Sequence, residues 1–298
     1  MDVLPGASSE RPLVFDCEGD RLVGVLHLPA EAPQLGLVLV VGGPQYRVGS
    51  HRQFLLLARH LAKGGIAVLR FDCRGMGDST GDFPGFEAIG ADIAAAAVAL
   101  RQEVPSLARV ALWGLCDAAS AICLHAHEIP RIDGVALLNP WVRSDSGEAR
   151  TYIRHYYRQR LFDAGFWRKL LAGEFRFGSA LTSFWGMLQR ASGKGAVAPG
   201  ENGDDLAERM AKGLEGFPGP VLLVTSGRDL TAREFEDAAV RSQRWRRILA
   251  GKSVARHGLG ESDHTFSRRL WRDQVAEWTV TWLTKSFPLV AAERPRQE

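Results

Sequence analysis

The residues with the clearest chemical potential lie in one short segment, Val110-Ala111-Leu112-Trp113-Gly114-Leu115-Cys116-Asp117-Ala118. An apolar run enters Gly-x-Cys-x-Ala and leaves as a small-residue helix. A nucleophile held on a sharp strand-to-helix turn needs this composition. Its backbone is strained, so the residues two before and two after it must be small. Gly114 and Ala118 meet that demand, and the turn puts Cys116 at a helix N-terminus, where the dipole is expected to favour thiolate. A free cysteine is more often a buried packing residue. Cys17, Cys73 and Cys123 lack the strand–turn–helix setting and are expected to be such residues, Cys123 inside the following helix.

A cysteine nucleophile needs a base, and the base needs an orienting carboxylate. The apolar run 220–225 leads into Ser226-Gly227-Arg228-Asp229, which places Asp229 at the C-terminal edge of a strand. Gly260-Glu261-Ser262-Asp263-His264-Thr265-Phe266 then places His264 in a loop before the last helix. His257 is an alternative base, although it falls at the end of a strand. Asp237 and Asp263 are alternative acids, Asp237 within a helix. An Asp after a strand is usually a turn former or helix cap, so Asp229 gains weight from its company. An oxyanion would be held by the backbone N–H of Asp117 and by one from Gly42-Gly43-Pro44-Gln45, the loop after the run 35–41. Pro44 has no N–H, which leaves Gly43 first and Gln45 in reserve.

These residues need elements to hold them. Residues 12–17 and 21–28 read as a hairpin around Glu18-Gly19-Asp20. Short apolar runs at 35–41, 66–71, 109–113, 134–138 and 220–225 read as strands buried on both faces, with another strand at 253–256. Helical stretches at 51–63, 87–104, 117–127, 205–214 and 266–287 alternate with them. Strands and helices alternating in this way predict a mostly parallel, doubly wound α/β sheet, with residues 1–141 and 219–290 forming the core. The alternation breaks over 142–218, where helical stretches at 150–171 and 179–190 and a Gly-rich stretch at 192–204, expected to be mobile, predict an inserted helical lid. There is no internal repeat, and the last residues, 293–298, are expected to fray.

Composition narrows the possibilities. With 298 residues, 46% hydrophobic and 24% charged, the chain reads as an ordinary globular α/β protein. No apolar run reaches the ~20 residues that span a bilayer, and the first twenty residues lack the pattern of a secretory signal. Four cysteines without a CxxC pair argue against a disulfide framework or a zinc site and fit a cytoplasmic protein. A net charge of +3 is too small to indicate nucleic acid. No glycine-rich nucleotide fingerprint is present, and no cofactor is expected.

Taken together, Gly42-Gly43-Pro44, Asp72-x-Arg74-Gly75-x-Gly77-x-Ser79, Gly-x-Cys116-x-Ala, Gly227-Arg228-Asp229 and Asp263-His264-Thr265-Phe266 resemble the α/β-hydrolase superfamily over nearly the whole chain. GGPQYRVGSHRQF with WGLCDAAS looks like the type-one exosortase A system-associated hydrolases. That resemblance implies a bacterial cytoplasmic setting near protein-sorting and exopolysaccharide genes rather than a substrate. Two departures stand out: Cys116 replaces the usual serine, and Val41 replaces the histidine that often precedes the oxyanion glycine.

Cysteine shifts the expected chemistry. A thioester acyl-enzyme is a high-energy acyl donor, so attack on a thioester is near thermoneutral while attack on an alkyl ester or amide is uphill. Thioesters, activated esters and lactones are therefore the expected donors. The stored energy also suits transfer to an alcohol or amine, so an acyltransferase stays open, as does a non-catalytic scaffold. Arg150, Arg154, Arg158, Arg160 and their basic neighbours outnumber acidic residues in the inserted region. They could steer an anionic partner such as an acyl carrier protein or a coenzyme A thioester, or simply form a solvated helix face.

Overall fold

The computed structural model describes residues 8–43, 45–142, 206–251 and 253–288. They form one eight-stranded sheet: β1 (Ser9–Cys17), β2 (Asp20–Leu28), β3 (Leu35–Val40), β4 (Ile66–Phe71), β5 (Arg109–Leu115), β6 (Gly134–Leu138), β7 (Val221–Ser226) and β8 (Val254–Leu259). The spatial order is β1-β2-β4-β3-β5-β6-β7-β8. β1 pairs antiparallel with β2, and β2 antiparallel with β4; every later pairing is parallel. The hairpin turn uses Glu18 and Gly19 at φ 49° and 90°, a left-handed pair whose twist suits a two-residue connection.

β3, β4 and β6 are buried at every position, which explains their unbroken apolar sequence. Helices cover both faces. On one side lie α2 (Gly90–Glu103), α3 (Asp117–His125) and α4 (Leu206–Glu215), contributing Ile93, Leu100, Ile122, Met210 and Leu214 to a single cluster. α5 (Leu230–Arg241) and α6 (Gln243–Leu249) add Phe235 and Trp245, whose rings meet edge to face at 5.0 Å. On the other side α1 (Gln53–Lys63) and α7 (Arg269–Ser286) bring Phe54, Leu57, Leu61, Val275, Trp282 and Leu283 against the sheet. Each fully buried side chain of this kind is worth about 1.5–3 kcal/mol.

Two boundaries differ from expectation. α4 packs on α3 so closely that a Cβ at Gly213 would lie 2.3 Å from the Cys123 carbonyl oxygen. Leu206, Met210 and Leu214 belong to the core cluster, so this helix is core rather than the end of an insertion running to 218. β8 extends to Leu259, past the expected end at 256. The rest of the expected lid, including the helices at 150–171 and 179–190 and the Gly-rich stretch, lies outside the described residues, as do residues 293–298.

Candidate active site

β5 ends at Leu115, and α3 begins at Asp117. Cys116, between them, has φ 61° and ψ −125°. A non-glycine residue there is strained, at a cost of order 1–3 kcal/mol, and persists only where its surroundings impose the geometry. Those surroundings are visible. Cys116 N–H donates to the Leu138 carbonyl at 2.9 Å, and the Cys116 carbonyl accepts from Ser120 N–H at 3.2 Å and Trp141 N–H at 3.3 Å. Ser120 Oγ ties α3 to the chain beyond β6 by donating to the Trp141 carbonyl at 2.6 Å. A Cβ at Gly114 would lie 2.8 Å from both the Ala118 backbone carbon and Ile122 Cδ1, so only glycine lets the turn close this tightly.

Of the four cysteines, Cys116 is half-buried while Cys17, Cys73 and Cys123 are buried. Burial pushes the Cys17 thiol up to about 11 and also raises those of Cys73 and Cys123 well above their usual value. The thiolate expected at Cys116 is not what the structure favours. Burial raises this thiol well above its usual value, the Asp117 and Asp229 carboxylates raise it further, and the Asp117 N–H lowers it only in part. A helix N-terminus is worth about 0.3–1 kcal/mol, which desolvation outweighs. The surroundings of Cys116 favour the protonated thiol.

Asp229 caps α5, accepting from Thr231 N–H and Ala232 N–H at 3.2 Å each. Its Oδ2 also lies 2.7 Å from His264 Nδ1. Asp229 is 7% exposed and His264 29%, so the carboxylate is shielded while the imidazole reaches the surface. Asp229 is thus at once a helix cap and a partner for histidine. Asp263 instead accepts from Ser267 N–H at 2.9 Å and from its hydroxyl, and its carboxyl sits below the usual range because those bonds outweigh its partial burial. Asp237 is exposed on α5. His257 lies within β8, not at its end, and stacks on Trp278 of α7 with ring centroids 4.3 Å apart, which engages it in packing. Among the described residues no hydrogen bond joins His264 to Cys116. They share one edge of the sheet, and the Asp229 charge acts on Cys116 while His264 acts on Asp117.

The sequence reading missed Asn139. It directly follows β6, fully buried, at φ 43°. Its Nδ2 donates to Ser226 Oγ and to the His264 carbonyl, both at 2.9 Å, and its Oδ1 accepts from Ser226 N–H at 2.8 Å. Ser226 Oγ in turn donates to the Asp263 carbonyl at 2.9 Å. One amide therefore locks the end of β7, from which Asp229 hangs, to the loop carrying His264. A polar residue between a buried strand and a proline was the available signal.

The loop after β3 is anchored by Asp72, fully buried at the end of β4. Asp72 Oδ1 accepts from Arg47 N–H at 2.6 Å, and Oδ2 accepts from the Arg47 guanidinium and from Asp78 N–H. Gln45 Oε1 accepts from Ser50 N–H at 3.2 Å, which bends the loop onward to α1. Gly43 stands at φ 59° and faces the Asp117 carboxyl. A Cβ at Gly42 would lie 2.0 Å from Asp117 Oδ1 and 2.6 Å from Ala118 N, so the loop touches the helix start directly.

Asp117 itself is unusual. Its Oδ1 accepts from Ala118 N–H at 3.0 Å. Burial raises its carboxyl to about 6, against the pull of the Gly43, Ala118 and Asp117 N–H groups and of His264. The unfolded carboxyl ionises near 3.8. Between these values the folded state holds the extra proton, so stability falls as pH rises and the loss is complete above about 6. At about 1.4 kcal/mol per tenfold change in proton affinity, the cost at pH 8 is at most about 3 kcal/mol. Asp117→Asn is therefore expected to raise Tm at pH 8 and to leave it unchanged near pH 3.5. Urea midpoints at the two pH values check this; equal shifts would contradict it.

Among the described residues no cluster of His, Cys, Asp or Glu is arranged to hold a metal ion, and no helix is long and apolar enough to cross a membrane.

Solved structures share this architecture over nearly their whole length. An esterase of Pyrococcus furiosus aligns with 96% of this chain and 94% of its own at TM-score 0.64 and 16% identity. The chain has the α/β-hydrolase fold. A dienelactone hydrolase from Anabaena variabilis matches at TM-score 0.59 and 14% identity, covering 94% of this chain and 99% of that one. A Xanthomonas campestris serine hydrolase without a lid matches at 0.58 and 14%, covering 97% and 100%. A family model described as serine aminopeptidase, S33, matches residues 34–168, somewhat under half of the α/β-hydrolase-fold chain. No curated protein sequence matches it.

Proposed function

We propose that the protein is a hydrolase of acyl thioesters or activated esters that works through a cysteine acyl-enzyme. The observation that carries this reading is the backbone of Cys116, at φ 61° and ψ −125° between β5 and α3, on the sheet edge that also bears the Asp229–His264 pair. Strain of that kind at an accessible thiol serves packing poorly and serves attack well.

In this reading His264 Nε2 removes the Cys116 proton as sulfur attacks the carbonyl carbon, with Asp229 holding Nδ1–H and stabilising the imidazolium. The oxyanion forms against the Gly43 and Asp117 N–H groups. Collapse breaks the bond to the leaving thiol or alkoxide, which takes the proton from His264 and leaves a Cys116 thioester. Water then attacks, gives its proton to His264, and the carboxylic acid departs as Cys116 regains its thiol. The mechanism needs no cofactor. A protonated resting thiol fits this sequence, because proton removal then coincides with attack.

The comparisons support an esterase-type hydrolase in coarse terms, several matched structures being esterases by description. The cysteine narrows the donor to acyl groups no more stable than the thioester it must form. The motif resemblance to exosortase A system-associated hydrolases supports a cytoplasmic setting, and the basic residues between 143 and 194 support a phosphopantetheine-linked acyl donor. Free-thiol release from a series of acyl thioesters, beside matched alkyl esters and anilides, tests the reading. Thioesters and activated esters are expected to turn over at least about 10²-fold faster than alkyl esters. Equal rates on anilides would contradict it, and acyl products formed only with an added alcohol or amine would point to a transferase.

A further inference from the structure

The N–H groups assigned to the oxyanion already face a carboxyl. Asp117 is the first residue of α3, and its carboxyl folds back over the helix start instead of extending into solvent. Oδ1 accepts from Ala118 N–H at 3.0 Å. The same carboxyl packs against the loop after β3: the position of a Cβ at Gly42 is 2.0 Å from Oδ1, and that at Gly43 is 3.5 Å from Oδ2. The Gly43 N–H and the Asp117 N–H both favour its charged form.

We propose that the Asp117 carboxylate is a resident occupant of the oxyanion site, which a substrate carbonyl must displace before Cys116 can attack. A carboxylate accepts hydrogen bonds more strongly than a neutral carbonyl does, so the occupied state resists substrates at alkaline pH. Protonating the carboxyl weakens its hold on the N–H groups and opens the site. The titratable groups facing it are Cys116 on the same turn, Cys73 after β4 and His264 after β8; Asp229 acts beyond them on Cys116. Cys73 is buried at 1% exposure and its thiol is raised, so it stays neutral. The inference rests on the functional reading above, since an oxyanion site matters only if Cys116 forms an acyl-enzyme.

Neutrality and vacancy can be separated. Asp117→Ala removes both the charge and the occupant. Asp117→Asn removes the charge but leaves an amide oxygen that can still accept from Gly43 N–H. The experiment measures kcat/KM on an acyl thioester at pH 5 and pH 8 for wild type, Asp117→Ala and Asp117→Asn. It also follows the alkylation rate of Cys116 by iodoacetamide in all three and in Cys116→Ala as the background. Because the Asp117 charge also raises the Cys116 thiol, the alkylation rate reads that effect separately from the ratio of kcat/KM to wild type. The expected ratio for Asp117→Ala is roughly tenfold or more at pH 8 and near one at pH 5, with Asp117→Asn gaining roughly threefold or less.

Equal gains for Ala and Asn that track faster alkylation would overturn the inference, since charge alone would then account for them. So would an unchanged or lower kcat/KM for Asp117→Ala while wild type turns over and alkylates normally. Turnover in Asp117→Ala alone supports the inference. If no variant turns over and none forms an acyl adduct, the functional reading falls and this inference falls with it.

Discussion

Cys116→Ala is expected to lower kcat on an accepted thioester by about 10⁴-fold or more, leaving what the oxyanion donors and binding supply alone. His264→Ala should cost nearly as much, and the double variant little more than either single one. In the proposed mechanism nucleophile and base act as a unit: without the imidazole the half-buried Cys116 thiol, raised by its surroundings, keeps its proton. This coupling separates the cysteine mechanism from one in which His264 activates water directly. In the latter case Cys116→Ala would retain activity and His264→Ala would not. Steady-state rates for the three variants decide between them, and additive losses would count against a Cys116–His264 unit.

Asn139→Leu is expected to be the most destabilising single change near the site, by about 3–5 kcal/mol. The side chain is fully buried and makes three hydrogen bonds, to Ser226 Oγ, Ser226 N–H and the His264 carbonyl. Leucine leaves the Ser226 N–H and the His264 carbonyl without these partners, each at about 1–3 kcal/mol. It also places a bulky residue at φ 43°, where asparagine is tolerated and leucine is not. A urea midpoint reads the stability. Asn139→Asp is the informative companion, because it keeps the acceptor for Ser226 N–H while setting a carboxylate oxygen against the His264 carbonyl. It should lose kcat by about tenfold or more while keeping KM, since it moves the base rather than the substrate. A drop in KM affinity alone would assign Asn139 to the pocket instead.

The sheet was readable because its signal is local and redundant. The runs at β3, β4 and β6 are apolar without a break, and only strands covered on both faces require that. The elbow was readable for the same reason: Gly114 and Ala118 flank Cys116 at the two positions where the turn crowds itself. Asp229 and His264 could be listed as candidates, but Asp263 and His257 carried similar local patterns. What separates them is which partner each finds: Asp263 is taken up locally by Ser267, four residues on, while His257 is engaged by Trp278, more than twenty residues away.

Three features depend on tertiary contacts that local pattern does not specify. Asn139 acts through bonds to Ser226 and to His264, which lies 125 residues away, and no local spacing encodes that. The Cys116 ionisation was misjudged because the helix dipole is local and legible, whereas the burial and the fold of the Asp117 carboxyl over Gly42 are not. The end of the insertion was misplaced because the helix at 206–215 reads the same in sequence whether it caps a lid or packs on α3.

The most direct test of the account is the intact mass of the protein quenched within milliseconds of mixing with a short-chain acyl thioester, wild type beside Cys116→Ala. The account predicts a transient gain of one acyl mass on wild type, mapped to Cys116 and absent from the alanine variant. An acyl adduct that persists in Cys116→Ala, or undiminished turnover without Cys116, would contradict it.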